Sequence, residues 1–320
     1  MKPIRYLSLF SGIGGFEVGM EKSKQKFKNV GYSEVNNYAI SIYSRHFPRH
    51  KALGDVTRIN TEELEDFELL IAGFPCQSFS LAGKGKGFED CRGTLFFEIA
   101  RVLSDCHPKY ILLENVKNLL SHEGGRTFQT ILEVLSQQGY DVLWQVYNSC
   151  NYGVPQSRER LYLKGYSRRE CGSEIFSQAR KDFSSVERVN NAEKSAPLCN
   201  RYSEAPLKIA TNTNKGYDEA YVGDGVRLAH LNSNTARGRV QNSLCGALTN
   251  QTDWGVVAED YRIRRLTPTE CERLHGFKDG WTKYGKDGEL ISDTQRYKCL
   301  GNAVTTNVVE HIFNEWELNV

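Results

Sequence analysis

Phe67-Glu68-Leu69-Leu70-Ile71-Ala72-Gly73-Phe74-Pro75-Cys76-Gln77-Ser78-Phe79-Ser80 joins an apolar, strand-like run to a proline-braced loop that carries a thiol. A short apolar run ending in Gly and Pro reads as a buried strand. The carboxyl end of such a strand is where an open α/β sheet does its chemistry. An isolated Cys is ordinarily a small buried hydrophobe. The next segment of chain sets Cys76 apart. Residues 77–93 are rich in Gly, Lys and Ser and have little apolar periodicity. A loop of that length inside a domain is usually functional.

On both sides of this stretch, strand-like runs alternate with amphipathic helical patterns. Strands are expected over 4–10, 30–33, 69–72, 110–113, 143–147 and 161–165. Helices are expected over 16–24, 36–47, 95–103 and 127–137. Alternation of this kind predicts parallel strands with crossover helices, hence a doubly wound α/β sheet. The apolar run 110–113 is expected at its centre. From about residue 170 the period of 3.6 is lost and Asn, Ser, Thr, Gly and Arg dominate. A separate, smaller domain rich in loops and short strands is expected there. Thr267-Pro268-Thr269-Glu270 marks a helix start, and a last helix follows Gly301-Asn302.

The 320 residues suffice for one large domain plus a smaller one. A hydrophobic fraction of 39% with 25% charged residues is that of an ordinary soluble globular protein. No apolar run approaches the ~20 residues of a membrane span. The start, Met1-Lys2-Pro3-Ile4-Arg5, resembles a signal peptide only faintly, because the apolar stretch ends at Phe10 and Gly and Glu17 follow. Nine cysteines without a Cys-x-x-Cys pair argue against a zinc site or a disulfide framework and suit a reducing cytoplasm. His46 and His50 have metal-like spacing, but Pro48 lies between them and no acidic motif accompanies them, so no metal is expected. A net charge of +2 does not by itself indicate nucleic acid. The positive charge is clustered, however, at Arg158, Arg160, Lys164, Arg168 and Arg169, and again at Arg262, Arg264 and Arg265.

Phe10-Ser11-Gly12-Ile13-Gly14-Gly15 links the first expected strand to the first helix. Glycines permit a sharp turn and close approach of a ligand. The dinucleotide pattern is matched only loosely, so a tight turn without a ligand remains open. Two acids at later strand ends favour a nucleotide-like ligand. Glu34 is suited to accept from both hydroxyls of a ribose, and Asp55 to accept from an adenine amine. Glu114, at the end of the 110–113 strand, is either a solvated strand-end acid or a catalytic one.

These segments, with Glu114-Asn115-Val116, Gln156-Ser157-Arg158-Glu159-Arg160 and Gly301-Asn302-Ala303-Val304, occur in an order that resembles the DNA (cytosine-5) methyltransferases. The likeness covers residues 4–165 and 262–312 and fades between about 170 and 260. It implies a mixed, mostly parallel sheet of the S-adenosylmethionine-dependent methyltransferase type. It also implies a catalytic and cofactor-binding domain over 1–175, completed by 294–320, and a target-recognition domain with hinge over 176–293. The implied cofactor is S-adenosylmethionine, held by Phe10, Gly12, Gly14, Glu34, Asp55, Val56, Leu95, Asn302 and Val304. The implied catalytic group is Cys76 as thiolate nucleophile on cytosine C6, Glu114 at N3, Arg160 at O2, and Arg158 in support. Gln77 and Ser80 are implied near a flipped base, Lys84 and Lys86 at phosphates, and Arg237 and Arg239 among the sequence-reading residues.

The expected partner is double-stranded DNA. A restriction endonuclease on the same site, forming no stable complex, is a further one. A monomer in the cytoplasm is expected. The family's recognition region usually ends in a Thr-Leu pair, and here Ala247 stands before Leu248 in place of the Thr. Two alternatives remain. A tRNA cytosine-5 methyltransferase would share the Pro-Cys and Glu-Asn-Val chemistry but carries a Cys-Phe-Thr stretch not found here. A catalytically dead DNA-binding relative would not need Cys76, Glu114 and Arg160.

Overall fold

Strands buried on both faces read as continuous apolar runs, and β1 (Ile4–Leu9), β4 (Leu69–Gly73) and β5 (Tyr110–Val116) have this character. In the computed structural model, which describes residues 2–75, 95–171, 206–229, 240–250, 253–316 and 318, they lie within a seven-stranded sheet. The other strands are β2 (Phe27–Ser33), β3 (Ala52–Gly54), β6 (Tyr140–Asn148) and β8 (Glu159–Ser167), in the order β3-β2-β1-β4-β5-β8-β6. Strands β1 to β5 are parallel. Strand β8 is antiparallel to both β5 and β6. The ten residues between Asn148 and Glu159 are too few for a crossover, which takes about a dozen or more. The sheet is therefore mixed and mostly parallel. Its middle strand is β4, with β5 one place off centre.

Alternate strand residues serve opposite layers, as the pleat requires. Leu70, Ala72, Ile111 and Leu113 pack with α3 (Leu95–Cys106) and α4 (Arg126–Gln137). Leu69, Ile71, Tyr110 and Leu112 pack with α1 (Gly15–Lys22) and with a helix from the far end of the chain. That helix is the last of three: α5 (Pro268–Leu274), α6 (Asp293–Asn302) and α7 (Thr306–Glu315). Helix α5 starts with a capping box in which Thr267 and Glu270 satisfy each other's backbone amides. Trp316, just beyond α7, is fully buried against Tyr110 and Tyr166.

A third apolar cluster joins Ile13, Val18 and residues of α2 (Asn37–His46) to Cys245, Leu248, Trp254, Leu274, Phe277 and Leu300. The remaining strands are short. β9 (Leu207–Ala210) and β10 (Tyr217–Ala220) form a hairpin. β11 (Gly225–Arg227), β12 (Val240–Gln241), β14 (Trp254–Val257) and β15 (Ile263–Arg265) form a four-stranded sheet. β13 (Cys245–Gly246) pairs instead with β7 (Gln156–Ser157), which directly precedes β8.

Helix α1 buries an acid. Glu17 is 1% exposed, and the Tyr43 hydroxyl donates to its Oε1 at 3.0 Å. Its Oε2 has no partner among the described residues. Burial pushes the carboxyl up to about 7. A carboxyl raised on folding stabilises the fold fully at low pH and loses that contribution as pH rises through the folded value. Between pH 5 and pH 9 the wild type should therefore lose about 3 kcal/mol relative to Glu17→Gln, read from urea denaturation at the two pH values. A difference between the two proteins that does not change with pH would contradict this.

Candidate active site

The carboxyl ends of β1, β2, β4 and β5 lie along one edge of the sheet. The chain leaves β1 through a loop with three left-handed residues: Phe10 at φ 54°, Gly12 at φ 56° and Gly14 at φ 86°. A bulky residue in that region is strained, and such strain gathers at functional sites. Gly12 faces open space, with nothing within 4 Å of where a Cβ would stand. Gly15 has the opposite surroundings. A Cβ there would stand 2.7 Å from Val304 Cγ2, so the start of α1 is pressed against the Asn302-Ala303-Val304 turn.

Glu34, at the end of β2, receives three backbone amides. Gly12 N donates to Oε2 at 2.9 Å, and Val35 N and Asn36 N donate to Oε1 at 2.9 Å each. A carboxylate has about four acceptor sites, so room remains for one further donor. Pairing with both hydroxyls of a ribose, expected from sequence, would require displacing an amide. Val35 beside it is 65% exposed, an apolar surface at the mouth of the site. Asp55 is half-buried, and its Oδ1 accepts from Thr57 N at 3.0 Å. Hydrogen bonds from Thr57 hold its carboxyl below the usual range.

Val56 and Val304 are 2% and 6% exposed. They support the walls of the site and offer it little side-chain surface. Arg101 of α3 donates to the Val56 carbonyl at 2.9 Å. Leu95 opens α3 half-buried, and Asn302 ends α6 exposed. The structure thus brings Phe10, Gly12, Gly14, Glu34 and the Asn302–Val304 turn together around one loop.

Glu114 stands at the end of β5, paired with Gly73 at the end of β4 and with Tyr162 of β8. Val116 pairs with Arg160 two positions on, which puts Arg160 on the same face as Glu114. Arg160 Nε lies 3.2 Å from Glu114 Oε1, both side chains nearly buried. Burial raises the Glu114 carboxyl above its ordinary value, opposed by the charges of Arg160 and Arg158. Asn115 donates from Nδ2 to the Phe74 carbonyl at 2.9 Å, bracing the chain just before Pro75.

Arg158, expected in support of the catalytic group, acts through backbone carbonyls. It is 3% exposed, and its guanidinium is occupied by backbone carbonyls. Nη1 donates to Leu248 O at 2.8 Å, and Nη2 to Gly301 O at 3.0 Å and Ala303 O at 2.9 Å. Gln156, two residues earlier in β7, donates to Leu274 O at 2.8 Å and accepts from Leu248 N at 3.1 Å. Arg158 is therefore a positioning residue that joins β8, the 245–248 segment and the end of α6. Burial lowers its pKa to about 9, which leaves it cationic at neutral pH. His275, fully buried nearby, is pushed down to about 3 by burial and by that charge, so it stays neutral.

Cys76, Gln77, Ser80, Lys84, Lys86, Arg237 and Arg239 lie outside the described residues. Among the described residues no group of His, Cys, Asp and Glu is arranged to hold a metal, and no helix is long and apolar enough to cross a membrane. His46 is instead stacked on Trp281 and His50 on Phe47. Asn115, Gln156, Val35 and Trp281 are site or support residues that the sequence reading missed. The first two stand inside motifs it had singled out. Val35 and Trp281 carry no local signal.

A profile described as C-5 cytosine-specific DNA methylase matches residues 4–317. The chain belongs to that family and is a DNA (cytosine-5) methyltransferase. Among its relatives, the Type II methyltransferase M.NgoBI of Neisseria gonorrhoeae is 38% identical over 95% of this chain and 90% of its own length. Type II methyltransferase M1.ScrFI of Lactococcus lactis subsp. cremoris is 34% identical over 96% of this chain and 76% of its own. Type II methyltransferase M.HhaI of Haemophilus parahaemolyticus is 33% identical over 97% and 93%. The solved S. pombe Dnmt2 methyltransferase shares the fold, with a TM-score of 0.63 at 18% identity over 97% of this chain and 96% of that one. The relatives do not favour the tRNA-modifying or inactive alternatives.

The two arginines of the Gln-Ser-Arg-Glu-Arg run should separate in mutation. Arg158→Lys should cost about 2–4 kcal/mol of stability, because a single ammonium nitrogen cannot reproduce donation from two separate guanidinium nitrogens, Nη1 to Leu248 O and Nη2 to Gly301 O and Ala303 O. Arg160→Lys keeps a cation beside Glu114 and should cost less stability than Arg158→Lys, with the loss appearing in methyl transfer instead. Urea denaturation and a methyl-transfer assay measure both. An Arg158→Lys protein as stable as wild type would contradict the positioning role.

Proposed function

We propose that the enzyme methylates C5 of a cytosine flipped out of one short duplex sequence, using S-adenosylmethionine and a covalent link from Cys76 to C6. The observation that carries this reading is the Glu114–Arg160 pair at the carboxyl end of β5, beside Gly73 and three residues before Cys76. Burial shifts this carboxyl in the direction that favours its protonated form, which suits it to hydrogen-bond N3 of cytosine. Arg160 can hold O2 from the same face.

The residues around the glycine loop fit S-adenosylmethionine. Gly12 leaves open space, Glu34 keeps acceptor capacity for a ribose hydroxyl, Val35 offers an apolar surface to a flat ring, and Asp55 can accept an amine. When bound, this cofactor supplies the sulfonium methyl that becomes the C5 substituent.

Cytosine C5 is a poor nucleophile. Addition of the Cys76 thiolate to C6 forms a carbon–sulfur bond and moves the C5–C6 π pair onto C5, while Glu114 stabilises the change at N3. After methylation the C5 proton passes to solvent water, the C5–H pair re-forms the C5–C6 double bond, and the Cys76 thiolate leaves with the carbon–sulfur pair. Asn115, by fixing the Phe74 carbonyl, sets where the Pro75-Cys76 turn begins. Residues 176–293 are the proposed target-recognition region, with Arg237 and Arg239 among its DNA contacts; Gln77 and Ser80 are the proposed contacts to the flipped base, and Lys84 and Lys86 to phosphates. Double-stranded DNA as substrate supports a cytoplasmic setting. Type II relatives support pairing with a restriction endonuclease that reads the same site.

Duplex DNA with 5-fluorocytosine at the target should trap the wild type covalently, because fluorine does not leave as a cation. Cys76→Ser should form no adduct and should lose methyl transfer by well over about a hundredfold, a hydroxyl being a far weaker nucleophile. Trapping by Cys76→Ser, or none by wild type at a confirmed target, would overturn the mechanism.

A further inference from the structure

The glycine loop is gripped at two consecutive residues. Glu34 holds the amide of Gly12. The carbonyl of the next residue, Ile13, accepts from the Trp281 indole at 3.0 Å, across 268 residues of sequence. We infer that Trp281 is a positioning residue for S-adenosylmethionine binding, fixing the loop through this N–H···O=C contact. The inference rests on the reading of residues 10–15 as part of the cofactor site.

The mounting of Trp281 is rigid on every side. Its neighbours in sequence are both held by one carboxylate. Gly280 N donates to Glu272 Oε2 at 2.7 Å, and Thr282 N to Glu272 Oε1 at 2.8 Å. Glu272 is fully buried and is paired with Arg296 of α6 at 3.1 Å. Arg296 Nε also donates to Thr282 Oγ1 at 3.0 Å. One face of the indole stacks on His46, with ring centres 3.5 Å apart and planes within 4°. His46 Nε2 lies 2.7 Å from the Trp281 carbonyl, so it is the donor there. Phe277 stacks near the indole at 5.3 Å, and its ring tip also stands 3.5 Å from where a Cβ on Gly15 would be.

This arrangement exceeds what packing alone requires. An aromatic residue of similar size would fill the space between His46 and Phe277. The indole nitrogen adds a directed bond to a peptide inside the strained turn, whose amide side Glu34 already fixes. A loop held in its binding geometry before the ligand arrives binds more tightly, because less freedom is lost on association.

Trp281→Phe keeps a six-membered aromatic ring between His46 and Phe277 and removes the N–H···O bond together with the five-membered ring. It should raise KM for S-adenosylmethionine about tenfold, leaving KM for DNA and kcat within about twofold. Unchanged KM for the cofactor would overturn the inference, as would equal worsening of both KM values with kcat, the mark of general loosening. A second measurement uses the wild type and does not depend on the variant folding. Binding linkage is reciprocal, so the cofactor should slow deuterium exchange of the Trp281 indole N–H by a similar factor, read by NMR after assigning the four tryptophans by substitution. Exchange that the cofactor leaves unchanged would also overturn it. Glu34→Ala and Asp55→Ala distinguish the two levels. If both bind S-adenosylmethionine like wild type by calorimetry, the site itself is misassigned. If they weaken it and Trp281→Phe does not, only the role of Trp281 falls.

Discussion

The guanidinium of Arg158 is shared among the carbonyls of Leu248, Gly301 and Ala303, and much of the site's geometry depends on that sharing. Arg158 lies just ahead of β8, between Ser157 and Glu159. Its three acceptors belong to the segment that pairs with β7 and to the turn that presses on Gly15. A planar cation presents donors from two separate nitrogens in fixed directions, whereas an ammonium donates from a single point. Gln156 in β7 extends the grip to the end of α5. The catalytic edge of the sheet, the loop at β1 and the far C-terminal helices are thereby set in one register.

The charge distribution follows from this. Arg158 is consumed by backbone, so Arg160 alone of the two faces Glu114. The neutral His275 adds no second charge beside Arg158. The buried carboxyl of Glu114 is raised by desolvation, against the lowering charges of Arg160 and then Arg158. The alternation of strand residues divides these roles: Arg160 shares the face of Glu114, and the glycine loop, at the end of β1 on the same sheet edge, is fixed by Glu34 and Trp281.

The layered sheet was legible from sequence because its strands are apolar on both faces and its helices carry a 3.6 period. The boundaries of α1, α2 and α4 fall within one or two residues of expectation. Helix α6 was missed, since Asp293–Asn302 carries little apolar pattern and is held through Arg296, Cys299 and Leu300. The edge strand β3 is three residues long and too short for any periodicity to register. Glu34, Asp55, Glu114 and Arg160 stand out in the sequence because each lies at a strand end or in a dense motif. Arg158 is expected from sequence in support of the catalytic group, but sequence shows only its charge and not the carbonyls through which it acts. Trp281 was invisible for the same reason: its partner lies at the other end of the chain.

The most direct test of the account is bisulfite sequencing of DNA from cells that express this chain and otherwise lack cytosine methylation. The account predicts that cytosine at one position of one short sequence resists conversion throughout the genome, and that the protection disappears with Cys76→Ser. Complete conversion of all cytosines in cells holding the folded wild-type protein, or protection that persists with Cys76→Ser, would contradict it.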